Sequence, residues 1–251
     1  MIINRVLTKL SGFWFWERWH PEVALRYLPI MSEIKKMGGN ISILEVGSGG
    51  LGIVPYIKRP VTGADVNFYP PFHPLLKRVK ADAKKLPFGN CSFDVVISVD
   101  TLEHMSASLR KNAISEMIRV AQNKVIIGVP SGKLAFEQDL ILDKLYKERF
   151  GKSYPFLEEQ IGYGLPDKEE IRDTIHNEAK KHCKKINLRI LGNENLMLRL
   201  FLMKGFINKN IFVNIFFRKI LLFLIPVISR LNQDPAYRQI FLVDIDNENR
   251  N

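Results

Sequence analysis

Four glycines follow a carboxylate in Ile41–Gly52 (ISILEVGSGGLG), a stretch of this 251-residue chain. Glycine lets a backbone turn tightly and approach a ligand closely, so a glycine-rich turn after an apolar strand is typical of a nucleotide site. Gly47, Gly49 and Gly52 match the dinucleotide pattern G-x-G-x-x-G, which favours a nicotinamide cofactor. Glu45, two residues before the first glycine, favours a different cofactor. The turn by itself therefore predicts a nucleotide-like ligand but leaves its identity open.

Three aspartates stand where later apolar stretches end. Asp65 ends VTGAD, Asp82 follows a short strand at residues 79–81, and Asp100 follows the most apolar stretch, FDVVISV. A carboxylate at the end of a second strand can accept hydrogen bonds from both hydroxyls of a ribose. This feature is shared by several classes of nucleotide-binding enzyme, so Asp65 alone does not distinguish between them.

Taken together, five linked motifs resemble class I S-adenosylmethionine-dependent methyltransferases, in particular the small-molecule subgroup that shares motifs with quinone methyltransferases. The resemblance covers residues 22–130. A weaker resemblance, in the loop Glu158–Arg172 and a later G-N-x-N turn, is to methyltransferases of cell-envelope glycan or lipid gene sets. The five motifs, in chain order, are EVGSGGLG at 45–52, TGADV at 62–66, ADAKKLPF at 81–88, SFDVVIS at 92–98 and DTLEHM at 100–105.

The resemblance implies S-adenosyl-L-methionine as the cofactor and assigns a role to each matching residue. One departure from the family pattern is that its third glycine falls on Leu51, which puts direct contacts from Gly50 and Gly52 in doubt. The implied contacts are Glu45, Gly47, Ser48 and Gly49 at the methionine end, Asp65 and Val66 at the ribose, Asp82 and Ala83 at the adenine, and Asp100 nearest the reacting methyl.

Two side chains are candidates for removing a proton from the methyl acceptor. A histidine titrates near neutral pH and can act as a general base, so His104 is one candidate and Asp100 is the other. The competing interpretation is that His104 only packs at the start of the following helix. No cluster with metal-ligand spacing is present in the sequence, so we predict a reaction without a metal.

The glycine turn also keeps other functions open. An NAD(P)-dependent oxidoreductase would use the same GSGGLG sequence, although Glu45 and the set from Asp82 to Asp100 favour the methyltransferase. A basic chain with a pI of about 9.6 suits nucleic acid, but the Pro-Pro-[Tyr/Phe] motif that clamps a base is missing where DTLEH stands. We therefore expect a small-molecule, lipid-linked or glycan acceptor and no nucleic-acid partner.

The elements needed to position these residues alternate between strand and helix. Such alternation predicts an α/β fold: a doubly wound, Rossmann-like, mostly parallel seven-stranded sheet with helices on both faces. We expect residues 1–251 to form a single domain. Its cofactor-binding half is predicted at 22–130 and its acceptor-side half at 131–251, with a hydrophobic and basic helical insertion at about 195–231.

Composition places the protein among ordinary globular chains, with 46% hydrophobic and 25% charged residues. Two cysteines are too few for a disulfide framework, which favours a reducing cytoplasmic location. The first 20 residues have no continuous apolar stretch or cleavage site of a secretory signal, so we expect none.

The net charge of +11 is concentrated late in the chain, where Lys184–Arg230 carries nine basic residues and one acid. Within it, residues 195–231 mix apolar clusters with these cations. One interpretation is a peripheral helix on an anionic membrane surface at the inner face, and the other is a helix packed over the sheet. A non-enzymatic peripheral membrane protein with a methyltransferase-like fold is a third functional hypothesis. Arg218 and Lys219 argue against a transmembrane helix, whereas Trp14, Trp16 and Trp19 could add an interfacial anchor or cover the core.

Overall fold

The computed structural model describes residues 20–232 and 234–246, which form one seven-stranded sheet flanked by helices. The strands are β1 (Ile43–Val46), β2 (Val61–Asp65), β3 (Leu76–Lys80), β4 (Phe93–Val99), β5 (Ala121–Pro130), β6 (Ile186–Asn195) and β7 (Ala236–Ile245). The α-helices are α1 (Pro21–Lys36), α2 (Val54–Ile57), α3 (Ala107–Val120), α4 (Lys133–Phe150), α5 (Pro155–Tyr163), α6 (Lys168–Lys181), α7 (Leu196–Phe206), α8 (Ile211–Arg218) and α9 (Ile225–Ile228).

The strand order is β3-β2-β1-β4-β5-β7-β6. Strands β1 to β5 pair in parallel, whereas β7 runs antiparallel to both β5 and β6. The order reverses between β1 and β4, and ligands of open α/β sheets bind outside the carboxyl ends of the strands at such a point. The predicted doubly wound, mostly parallel seven-stranded sheet is confirmed, with one antiparallel strand near its edge.

Both faces of the sheet are covered, and this explains why β4 is a continuous apolar run. Val95 and Ile97 join the core on the side of α1, whereas Val96, between them, joins the core on the side of α3 and α6. All three are fully buried. A central parallel strand buried on both faces has this pattern.

Most predicted elements lie where the sequence placed them, and two predictions need correction. The third strand is Leu76–Lys80, which begins three residues before the predicted strand at 79–81 and ends one residue before it, so Ala81 separates it from Asp82. The stretch Glu158–Arg172, described as a loop from the sequence, contains most of helix α5 and the start of α6. Proline stabilises the first turn of a helix because its missing N–H has no partner there, so Pro155 begins α5.

Between β6 and β7, the predicted hydrophobic and basic insertion is helical but not continuous. It consists of α7, α8, a 3₁₀-helix at Ile220–Leu224 and α9. The predicted anchor residues Trp14, Trp16 and Trp19 lie outside the described residues.

Candidate active site

Glu45 ties the glycine turn to helix α1. Its carboxylate is 1% exposed and accepts hydrogen bonds from the Tyr27 hydroxyl (2.7 Å) and from the backbone N–H of Ile53 (2.7 Å). Burial raises the pKa of Glu45 to about 7, although both hydrogen bonds act to lower it. Glu45 therefore stabilises the glycine turn through hydrogen bonds to the protein's own groups. Its predicted contact with the cofactor stays a prediction.

The first two glycines of the turn have left-handed backbone conformations, with φ of 78° at Gly47 and 54° at Gly49. A Cβ atom at Gly47 would lie 2.1 Å from Thr101 Oγ1, so the turn passes directly against the loop after β4. At Gly49 a Cβ atom would meet nothing within 4 Å. Ser48, between them, is buried, and its hydroxyl lies 3.2 Å from the Gly49 carbonyl oxygen. The open side of the turn is therefore at Gly49.

The two glycines around the family's displaced third position have internal packing roles. A Cβ atom at Gly50 would lie 2.3 Å from the carbonyl oxygen of Tyr69 and 2.4 Å from that of Pro71. At Gly52 it would lie 2.1 Å from Glu45 Oε2. Both positions require glycine because neighbouring protein atoms fill the space.

Asp65 lies at the carboxyl end of β2 and faces the turn. Its Oδ2 accepts a hydrogen bond from the Gly49 N–H (2.8 Å), and its Oδ1 accepts one from the Asn67 N–H (3.1 Å). The next residue, Val66, is 52% exposed. The structure therefore brings three predicted cofactor residues, Asp65, Val66 and Gly49, to the same edge of the sheet.

Asp82 and Ala83 lie at the next strand end. Asp82 Oδ1 accepts the Lys84 N–H (3.0 Å), and Oδ2 lies 3.1 Å from Lys84 Nζ. These hydrogen bonds to Lys84 lower the pKa of Asp82. The Ala81 N–H donates to the Asp65 carbonyl oxygen (2.9 Å), which holds this turn next to the end of β2, while Ala83 is buried.

Asp100, just beyond β4, is held by two arginines that the sequence did not indicate. Arg238 on β7 donates from Nε and Nη2 to the two carboxylate oxygens (2.5 and 2.7 Å), and Arg26 Nη1 on α1 lies 2.9 Å from Oδ2. Burial acts to raise the pKa of Asp100, but the two guanidiniums outweigh it and lower the pKa below its usual range. An ion-paired carboxylate of low pKa is a poor proton acceptor, so these contacts speak against Asp100 as the general base.

Two further carboxyl groups lie deep beside this pair. Glu103 and Glu194 are both 0% exposed. Burial raises the pKa of Glu194 to about 7, although the charge of Arg238, 3.3 Å from Glu194 Oε2, acts to lower it. Burial and then the charge of Asp100 raise the pKa of Glu103 well above its ordinary value. The strand ends therefore hold a buried polar cluster around Asp100.

His104 belongs to a short 3₁₀-helix, Leu102–His104, that follows β4. Its Nδ1 lies 2.9 Å from Glu159 Oε2 on α5, and its Nε2 lies 3.9 Å from Glu103 Oε1. The Glu159 carboxylate is within ion-pair distance of Nδ1, although Nδ1 makes no hydrogen bond with the described part of the chain, and an imidazole nitrogen beside two carboxyl groups can take up a proton. This arrangement suits a general base, and the predicted role of His104 stays a prediction.

A cavity of about 460 Å³ lies between α1, α4, α7 and α8, and its lining includes Glu22, Tyr146, Phe206 and Arg218. Glu22 Oε1 is 3.9 Å from Arg26 Nη2, and Arg26 in turn contacts Asp100. The cavity wall is therefore connected to the end of β4 through a single turn of α1.

Arg26, Arg238 and Glu194 are site residues that the sequence interpretation missed. One signal was available, because Arg238 interrupts the apolar strand AYRQIFLVDI, and a charge in a buried strand needs a partner. Its partner lies 138 positions earlier in the chain, and no local pattern identifies it.

The residues at this edge fit S-adenosylmethionine. Carboxylate acceptors stand at the ends of β2 and β3, and the turn is open at Gly49, next to the exposed Val66. Asp65 and Asp82 would hold the ribose and the adenine, and the Gly47–Gly49 turn would hold the methionine end. Among the described residues no group of three or more His, Cys, Asp or Glu side chains could hold a metal ion.

Comparison with known proteins relates the chain to methyltransferases. Residues 44–127 match a family model described as a methyltransferase domain, a range that contains every predicted cofactor residue. A methyltransferase from Thermotoga maritima, dependent on S-adenosylmethionine, aligns over 88% of this chain and 90% of its own, with 14% identity and a TM-score of 0.51. A protein from Pyrococcus horikoshii aligns over 90% of both chains, with 13% identity and a TM-score of 0.51.

At these identities the solved structures establish the fold alone. No protein of curated function matches the sequence. Support for the activity comes from the matched domain, together with the five motifs that lie in order at the ends of the described strands. Residues 44–127 carry a methyltransferase domain, and the chain is an S-adenosylmethionine-dependent methyltransferase.

Proposed function

We propose that the protein transfers a methyl group to a small-molecule, lipid-linked or glycan acceptor that binds beside the end of β4. The observation that carries the proposal is the position of Asp65. Its carboxylate contacts the Gly49 amide while the adjacent Val66 is exposed, so a nucleoside would find a ribose acceptor and an apolar surface together.

Bound S-adenosylmethionine supplies an electrophilic methyl group on a sulfonium. The chain's own contribution is alignment of the two reactants and exclusion of water. The ion-paired cluster of Asp100, Arg26 and Arg238, of which Arg238 is fully buried, gives the end of β4 a fixed polar surface. Because its charges are already paired, this surface orients an acceptor and does not take a proton.

The proton leaves through His104 in this proposal. Glu159 lies 2.9 Å from Nδ1, and Nε2 is the nitrogen that would accept a proton from an acceptor hydroxyl or amine. We expect the acceptor to approach from the 460 Å³ cavity. Its lining combines aromatic rings with Lys209 and Arg218 and one acid, Glu22, which suits an apolar body with an anionic group. The lining therefore supports an acceptor with an apolar body and an anionic group.

The test is a pair of measurements on the full-length protein. Calorimetry with S-adenosylmethionine and, separately, NADH is expected to show binding of the first alone. Mass spectrometry of extracts incubated with methyl-labelled S-adenosylmethionine is expected to reveal a labelled product. Binding of NADH alone would identify an oxidoreductase and overturn the proposal.

Asp65→Ala supplies the matched loss-of-binding variant. Hydrogen bonds to a charged group contribute about 1.5–3 kcal/mol, so cofactor affinity should fall about 10- to 100-fold. Asp173→Ala is the control, since Asp173 is exposed on α6 and contacts only Arg172. A labelled product that forms equally with Asp65→Ala would contradict the assignment.

A further inference from the structure

The segment between β6 and β7 is apolar on two opposite sides. Its inward side is the series Phe217, Leu221 and Ile225, spaced by four residues and buried to 9% exposure or less. Its outward side, here named the apolar face, has exposures between 39% and 79%. The apolar face consists of Ile211, Phe212, Ile215, Phe216, Ile220, Phe223, Leu224, Val227 and Leu231.

Nine exposed apolar side chains in one segment form a larger apolar patch than the single exposed side chains that are usual on a protein surface. The inward series already packs against the protein: the Phe217 ring lies 5.0 Å from that of Phe201 and 6.2 Å from that of Phe206. The apolar face is therefore not needed for the core. An exposed apolar helix face rimmed by polar residues marks an interaction surface.

The charge around the apolar face has one sign. Residues 195–233 contain no Asp or Glu. Lys204, Lys209, Arg218 and Arg230 are exposed, and Lys219 is half-buried. Apolar side chains flanked by cations complement a layer of anionic headgroups over hydrocarbon, and the cytoplasmic leaflet of membranes is such a layer.

By length and composition Ile211–Ile228 could also cross a membrane, and 17% of this segment is buried. Its connections exclude a single crossing. The Asn195 N–H donates to the Leu231 carbonyl oxygen (3.2 Å), and the Leu196 N–H donates to that of Pro235 (2.9 Å). The chain thus leaves and re-enters the sheet at one place, whereas one crossing would separate its ends by about 30 Å of hydrocarbon.

We propose that the apolar face docks on the surface of an anionic lipid bilayer, with α8 and α9 lying in the plane of the interface. Lys204, Lys209 and Arg230 then contact headgroups, and Phe212 and Leu224 enter the hydrocarbon boundary. Ile211 and Arg218 also line the 460 Å³ cavity, so docking places that cavity next to the membrane surface. The docking itself does not depend on the proposed acceptor.

The experiment is co-sedimentation of the full-length protein with vesicles of phosphatidylcholine alone or mixed with phosphatidylglycerol. Binding to the mixed vesicles is expected, and it should weaken as salt is raised, because exposed charges are screened. The double variant Phe212→Ser/Leu224→Ser should bind the mixed vesicles at least about tenfold more weakly, since it removes two apolar side chains from the boundary.

Phe72→Ser/Leu75→Ser is the matched control, because these side chains are 42% and 40% exposed beside β3, at the opposite edge of the sheet. This control should bind vesicles as the unaltered protein does. Equal vesicle binding by the Phe212/Leu224 variant would overturn the proposal, as would no binding to either vesicle. A dimer in light scattering that this variant disperses would also overturn it, since a second copy would then cover the face.

Cofactor calorimetry on the same double variant separates this proposal from the methyltransferase assignment. Binding of S-adenosylmethionine should be unchanged, because the substituted residues lie outside the glycine turn and the strand ends. Loss of vesicle binding in a variant that still binds cofactor therefore supports the docking surface. Failure of the full-length protein to bind cofactor would bear on the enzymatic assignment alone.

Discussion

Arg238 donates two hydrogen bonds to Asp100, from Nε to Oδ1 and from Nη2 to Oδ2, at 2.5 and 2.7 Å. The arginine is fully buried on β7, and the aspartate stands just beyond β4, where methyl transfer is expected. Two parallel hydrogen bonds fix the orientation of a carboxylate as well as its charge. The pair therefore sets the geometry at the centre of the site.

Arg238→Met should destabilise the protein strongly. Without Arg238, Asp100 keeps its contact with Arg26 but loses its bidentate partner, and Glu194 loses the guanidinium 3.3 Å away. Breaking a buried ion pair costs up to about 3–5 kcal/mol. The free energy of unfolding from denaturant titration measures this loss. In a double-mutant cycle with Asp100→Asn, the second substitution should cost much less in the Arg238→Met background. Additive effects of the two substitutions would show that the pair is not coupled.

Gly47→Ala and Gly49→Ala should differ although both glycines have positive φ. A Cβ atom at Gly47 would lie 2.1 Å from Thr101 Oγ1, whereas one at Gly49 would meet no protein atom within 4 Å. Gly47→Ala should therefore lower the melting temperature clearly. Gly49→Ala should lower it only slightly, because it adds backbone strain of about 1 kcal/mol and no steric clash. Combining Gly47→Ala with Thr101→Ala tests the cause, because removing the Thr101 hydroxyl and methyl groups, the two nearest atoms to the added Cβ, should restore part of the loss.

Ionisation of the buried Glu45 carboxyl group should lower the free energy of unfolding as pH rises. Its pKa is raised to about 7 in the folded state, so its contribution to stability is fully present below the unfolded value near 4.5 and is lost as pH rises through 7. The stability difference between the unaltered protein and Glu45→Gln should shift by roughly 3 kcal/mol between pH 4 and pH 8. Denaturant titrations at several pH values measure this.

Glu194, whose pKa is also raised to about 7, changes stability in the same direction and remains in the Glu45→Gln variant. The comparison between the two proteins therefore isolates Glu45. Glu137→Gln, an exposed substitution on α4, should leave the pH dependence unchanged. A difference between the unaltered protein and Glu45→Gln that is independent of pH would contradict the prediction.

His104→Gln should lower turnover about 100-fold if His104 removes the acceptor proton, since general bases typically contribute 10²–10⁴-fold. Affinity for S-adenosylmethionine should not change, because His104 lies beyond β4 and not at the glycine turn. Labelled-methyl incorporation measures turnover, and calorimetry measures affinity. Glu159→Gln should give a smaller loss, because Glu159 lies beside Nδ1 and takes no proton itself in this proposal. Full turnover by His104→Gln would show that His104 is not the general base and has only a packing role.

The sequence by itself determined the sheet and the position of the glycine turn. These features depend on local patterns: an apolar strand, then glycines, then carboxylates at regular strand ends. Asp65 and Gly49 are 16 residues apart, and the parallel pairing of β1 with β2 necessarily brings their strand ends together. Local sequence patterns were therefore sufficient to predict this part of the site.

Only the tertiary structure decided what surrounds Asp100 and which side of the late helices is exposed. Arg238 reaches Asp100 because β7 inserts antiparallel between β5 and β6, a pairing that no local periodicity encodes. Likewise, Phe212 and Phe217 have the same side chain, yet one is 79% exposed and the other 9%. Hydrophobicity gives the tendency of a residue to be buried, but the packed neighbours determine which side of a mostly apolar helix becomes buried.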